Sequence, residues 1–169
     1  MKKIILATWL LLCINSALWA TPYNIAPQAR VTASSVLNDT CRANNICDGL
    51  IGIENRGEWL STSKMTFWGQ IDYPWIQLEW EQPRNINRVV LYDRATMKSH
   101  IAGGTLHFSD GSKMLVHAIP NNGLGKTVDF PTKNVTWVKF EVTDGDGVNL
   151  GLSEIEVYPS PEDYTDYVS

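Results

Sequence analysis

Hydrophobic and polar residues alternate with a period of two along several stretches of the chain. In Trp75–Trp80, Ile76, Leu78 and Trp80 point one way while Gln77 and Glu79 point the other. In Val135–Val142, Thr136, Val138, Phe140 and Val142 fall on one face, and Val135, Trp137, Lys139 and Glu141 on the other. Val89 and Leu91 oppose Val90 and Tyr92 in a strand expected to be buried on both sides. One-sided alternation is what a sheet between a core and water requires. Turn signals separate these runs: Asp110-Gly111, which predicts a tight hairpin, Asn121-Asn122-Gly123, and Asp144-Gly145-Asp146-Gly147, read as an acidic turn. Short strands at such spacing, with no helix-period segment beyond the N-terminal region, predict an all-β sandwich.

The ends of the chain differ from its middle. Lys2 and Lys3 followed by the apolar run Ile4–Leu12 have the form of a secretory signal, with cleavage expected after Ala20. Leu12 stands before Cys13 where lipidation would call for a small residue. The expected product is secreted, periplasmic or extracellular. Losing Lys2 and Lys3 takes the formal charge from −4 to −6. That acidity argues against nucleic acid, whose binding needs a basic stripe, and less strongly against anionic membranes. No second apolar run is long enough for a transmembrane helix. Residues 21–158 are expected to form one domain, and the acidic segment 159–169 a disordered tail.

Candidate chemistry is sparse. His100, His107 and His117 stand in no zinc-ligand spacing, and neither a nucleophile elbow nor a phosphate loop is present. No pair of carboxylates is marked as a glycosidase pair by its position. The chain reads as a binding protein, not an enzyme. Cys41 and Cys47 are the cysteines left after processing, and in an oxidising compartment they are expected to form a disulfide by elimination.

Five weak motifs in fixed order give a more specific reading. They are Asn24-Ile25-Ala26-Pro27, Trp75-Ile76-Gln77-Leu78, Leu91-Tyr92-Asp93-Arg94, Leu106-His107-Phe108-Ser109-Asp110-Gly111-Ser112, and the closing Gly151–Tyr158. Together, over roughly residues 23 to 158, they resemble the discoidin-like, or coagulation-factor type C, family. The resemblance implies a galactose-binding-like (discoidin-type) β-sandwich with jelly-roll-like topology. Many bacterial members are carbohydrate-binding modules. It also implies a structural calcium ion held by Asp48, in Cys47-Asp48-Gly49, and Glu154, on the last strand. Gly57 departs from the pattern, which often places Thr or Ser two residues before the tryptophan matching Trp59; Glu54, Asn55 or Glu58 are the available substitutes. The competing reading makes Asp48 a turn residue and Glu154 an outward strand residue.

A saccharide is held by apolar faces together with fixed polar groups. Of the seven tryptophans, Trp59, Trp75, Trp80 and Trp137 fall in strand-like or core patterns, whereas Trp68 lies in a loop, where it either contacts ligand or caps the sandwich. Tyr73, before Pro74, completes an aromatic platform or locks the turn into the next strand. After the Leu91 strand, Arg94 offers a rigid fork of donors, with Lys98 and His100 as partners; the alternative for Arg94 is a structural contact. The leading expectation is a secreted, non-catalytic, lectin-like module for a glycan or polysaccharide. The second is an adhesion or assembly module that grips a cell-surface protein or a lipid headgroup.

Overall fold

The computed structural model describes residues 23–52, 57–62, 73–96 and 98–160. The expected signal segment, Trp68 and the acidic tail from Pro161 onward lie outside the described residues. Among these residues seven strands form one hydrogen-bonded antiparallel sheet: β1 (Arg30–Ala33), β2 (Trp59–Leu60), β3 (Trp75–Asp93), β4 (His100–Phe108), β5 (Lys113–His117), β6 (Lys126–Asp146) and β7 (Gly151–Pro159). The order is β2-β7-β3-β6-β4-β5, with β1 beside β3. The only helical pieces among the described residues are two 3-10 turns, Ala26–Gln28 and Ala43–Cys47. No described helix is long and apolar enough to cross a membrane.

Two strands are much longer than the rest, and they build the sandwich. β3 and β6 pair along most of their length, from Trp75↔Glu141 to Leu91↔Lys126. The first part of β3 lies between β1 and β6, and its second part between β7 and β6. The ladder is interrupted twice. Residues 80–83 of β3, ending in Pro83, face a single residue of β6, and residues 130–132 of β6, centred on Pro131, face Asn87. Proline cannot donate to a ladder, and bulges bend and twist the strands that contain them. The ribbon therefore folds over, giving one layer of β1-β3-β6-β4-β5 and a second of β2-β7-β3-β6.

Burial follows the alternation closely. Ile76, Leu78, Trp80, Val138, Phe140 and Val142 all enter the core, as the pattern predicts. Val89, Val90 and Leu91 are buried together. Val135, expected on the outer face, is buried as well. At residue 136 β6 passes from one layer to the other, so the inward phase slips by one. The expected acidic turn is also corrected: Asp144, Gly145 and Asp146 continue β6 and pair with β4, and the turn starts at Gly147.

The bend gives the domain two poles. At the corner pole lie the β3 bulge, the Asp110-Gly111 hairpin that contacts Lys133, and the end of β7, where the Ser160 N–H donates to the Asn85 carbonyl (2.8 Å). At the loop pole both tips of the β3–β6 ribbon meet the β3–β4, β5–β6 and β6–β7 connections. Close approach there is tight, because a Cβ on Gly151 would collide with the Trp59 carbonyl. Gly151→Ala is expected to destabilise the domain by about 1–3 kcal/mol, measured by chemical denaturation.

Candidate functional site

The loop pole is built on a buried ion pair. Arg94 leaves the end of β3, and its Nε and Nη2 donate to the two carboxylate oxygens of Glu58 at 3.2 and 3.3 Å. Nη1 donates to Ser99 Oγ (2.8 Å) and to the Asn149 carbonyl (3.1 Å). The Glu58 side chain is fully buried and that of Arg94 is 8% exposed. Asn149 adopts a left-handed φ of 54°, a conformation that asparagine tolerates, in the segment that presents this carbonyl. The fork expected to meet a ligand is thus turned inward, where it ties the loops before β2, after β3 and before β7 together. That corrects the ligand-contact expectation for Arg94 and removes Glu58 as a substitute calcium ligand. Sequence reasoning missed Glu58 as the partner because 36 residues separate the two.

Asp93 supports the same loop from below. One oxygen accepts the Arg94 N–H (2.8 Å); the other accepts the Ile101 N–H (3.1 Å) and lies 2.8 Å from His100 Nδ1. Burial raises the Asp93 pKa, and the backbone donors and His100 oppose that shift. His100 remains partly exposed, Lys98 is exposed, and Tyr73 stands 46% exposed beside Pro74, whose carbonyl accepts the Val142 N–H (2.9 Å). The structure thus places Tyr73, Lys98 and His100 at one pole.

A cleft of about 300 Å³ opens at this pole, lined by Gly52, Ala95, Thr96, Asn121, Asn122 and Gly123. The Asn121 amide donates to the Thr96 carbonyl (2.6 Å), which fixes the two walls to each other. Asn122 Oδ1 accepts the Leu124 N–H (3.1 Å), so its amide N–H groups are left to face solvent. Asn121-Asn122-Gly123 reads in the sequence as a turn, and nothing in a turn signal says that its amides border a cleft. Such a site suits hydroxyl groups, which need donors and acceptors held in place.

The proposed metal ligands also come together. The Gly49 N–H donates to Glu154 Oε2 (3.2 Å), and Asp48 lies close enough for its charge to act on Glu154. Glu154 is 2% exposed, not the outward residue of the competing reading. Burial, reinforced by Asp48 and Glu156, pushes its carboxyl up to about 8. Two carboxylates crowded in this way fit a divalent cation, with the rest of an oxygen shell left to backbone carbonyls and water. The described residues offer no third His, Cys or acidic ligand.

The expected disulfide is not formed: Cys41 and Cys47 are free thiols. The 3-10 turn Ala43–Cys47 lies between them and gives each a different neighbour. Cys41 is buried beside the Thr40 hydroxyl, and Cys47 packs on the core near Glu154 and Asp48. Burial and then those two charges push the Cys47 thiol up to about 12, far from a reactive thiolate.

A family model described as "Domain of unknown function (DUF7402)" matches residues 24–158. The chain belongs to that family. No curated protein matches the DUF7402 chain. Among solved structures it is similar to chitosan-binding module 1 of a chitosanase/glucanase from Paenibacillus sp. IK-5, at 23% identity and a TM-score of 0.61, over 80% of this chain and 98% of that one. It is similar to the lectin domain of lectinolysin, solved with Lewis B antigen, at 21% identity and a TM-score of 0.62, over 82% and 97%. A fucolectin from striped bass (Morone saxatilis) serum matches at 19% identity and a TM-score of 0.66, over 82% of this chain and 47% of that one. This DUF7402 domain therefore has the galactose-binding-like β-sandwich fold of carbohydrate-binding modules and lectin domains.

Two outcomes test this account of the pole. Arg94→Met is expected to cost about 3–5 kcal/mol in chemical denaturation by stranding the buried Glu58 carboxylate, and adding Glu58→Leu should recover much of that loss. Because the folded Glu154 pKa lies above its ordinary value, the unfolded chain binds fewer protons between about pH 4.5 and 8. In metal-free buffer stability from this group is complete below that window and falls as pH rises through it. Glu154→Gln should flatten that part of the stability–pH profile.

Proposed function

We propose that this chain is an exported, non-catalytic module that binds a glycan at the loop pole. The observation that carries the reading is the amide-lined cleft between the β3–β4 and β5–β6 loops, held open by the buried Arg94–Glu58 pair. Asn122 supplies donors, Thr96 and Asn121 form the walls, and Tyr73, Lys98 and His100 flank the pole. Trp68, outside the described residues, is the aromatic that the sequence offers as a further ligand contact. Structural neighbours solved with Lewis B antigen, with chitotriose and with GalNAc-β-1,3-galactose support the ligand class. The N-terminal segment supports export.

Calcium belongs to the same reading. Asp48 and Glu154 would hold it beside Gly49, relieving the repulsion between two carboxylates and stiffening the segment that leads to Gly52 at the border of the cleft. Its role there is structural: it organises the loop and carries no chemistry.

One observation favours the adhesion alternative. Six exposed aliphatic side chains, Val36, Leu37, Leu50, Ile51, Leu124 and Val148, lie on the loops of this pole. An apolar rim of that kind suits a protein or lipid surface.

A glycan array probed in calcium and again in EDTA separates these readings. Selective binding that falls about tenfold or more in Asn122→Ala or Trp68→Ala would establish the saccharide site. A blank array from folded protein, with capture by a cell-surface fraction that is lost on Leu124→Asp, would transfer the assignment to adhesion. Calcium is expected to raise the melting temperature by several degrees, as a bound ligand does. Asp48→Ala should remove that rise.

A further inference from the structure

The corner pole carries a second cleft, of about 330 Å³, slightly larger than the one among the loops. Two segments form it: Gln28, Ala29 and Arg30, from the end of the first 3-10 turn into β1, and Glu79, Trp80, Glu81 and Arg84 along the first bulge of β3. The bulge creates the hollow. It buries Trp80, whose indole N–H donates to the Ile25 carbonyl (3.1 Å), and leaves the next residue, Glu81, exposed.

Formal charge in this cleft cancels, with Arg30 and Arg84 set against Glu79 and Glu81. Arg30 pairs with Glu79, and Arg84 Nη2 donates to Gln28 Oε1 (3.3 Å). A balanced site gives no strong hold on a phosphate or an ammonium group as a point charge. It offers planar donors and acceptors in fixed positions beside an indole, the combination that grips adjacent hydroxyls. Trp137, half-buried on β6, pairs with Glu79 in the ladder. Glu81 makes no hydrogen bond or ion pair among the described residues, so its carboxylate is available as an acceptor.

We infer that the corner cleft, lined by Gln28, Arg30, Glu79, Trp80, Glu81 and Arg84, is a second binding site for a neutral saccharide, separate from the loop-pole site. Its ligand class rests on the glycan-binding reading of the chain. Two sites at opposite poles make one chain divalent. A divalent chain holds a polymer bearing many copies of the ligand more tightly than either site alone.

The test is a glycan array probed with the wild-type chain, Glu81→Ala, Arg30→Ala and Asn122→Ala. Glu81 is exposed, so its substitution leaves the core intact. The expected result is a set of neutral glycans whose signal falls about tenfold in Glu81→Ala or Arg30→Ala and persists in Asn122→Ala. Titrating the strongest of these glycans into isotopically labelled protein should shift the Trp80 indole N–H resonance. The inference is overturned if both cleft variants keep every signal within about twofold of wild type, or if the signals they lose belong only to sulfated or sialylated glycans. Loss in Asn122→Ala alone overturns it while upholding the loop-pole site; loss in the cleft variants alone does the reverse. A blank array from folded wild-type protein overturns both.

Discussion

The antiparallel pairing of β3 with β6 is the constraint on which the rest of the architecture depends. Among the described residues these two strands alone are shared by both layers, so wherever their ribbon bends, the sandwich must close. Two bulges, each containing a proline, set the bend. Once the ribbon is folded over, the residues at its two tips become neighbours although they are far apart in sequence. Asp93 and Arg94 at one tip then meet the segment from Asp144 to Asn149 at the other, and a site made of loops acquires a floor made of strands.

Charge at the loop pole is handled in three ways within a small volume. Arg94 and Glu58 are both removed from water and satisfy each other with a two-pronged contact, reinforced by Ser99 and Asn149. Asp93 is buried but held by two backbone N–H groups and an imidazole. Glu154 is buried beside another carboxylate, and only the backbone N–H groups of Gly49 and Asp48 oppose the cost of its charge. The first two arrangements are closed, and they tie the loops around the cleft to the end of β3. The third leaves two carboxylates side by side with no cationic partner among the described residues, which is why a cation is proposed there.

Much of the fold was legible because strand periodicity is local. The inward positions of β3 and β6, the Asp110-Gly111 hairpin and the fold class all follow from alternation and turn chemistry. Val135 went astray because a layer change shifts the phase of alternation, and no residue type marks that shift. The site was legible only in outline. Tyr73, Arg94, Lys98 and His100 do gather at one pole, yet the direction of the Arg94 side chain depends on Glu58, a partner that local sequence does not reveal. The cysteines show the same limit. Six positions of separation satisfy a counting rule, but the intervening 3-10 turn aims the two thiols at different surroundings.

The start and end of the domain share the corner pole. The Ile25 N–H donates to the Val157 carbonyl (2.9 Å), and Ser160 hydrogen-bonds Asn85 beside the same bend. The domain's first and last strands thus enter and leave through one doorway, on the side away from the loops. A unit with that geometry can be spliced into a surface loop of another protein, or permuted by joining its ends, without rerouting any strand of the sandwich. It would present the same loop pole outward in either setting.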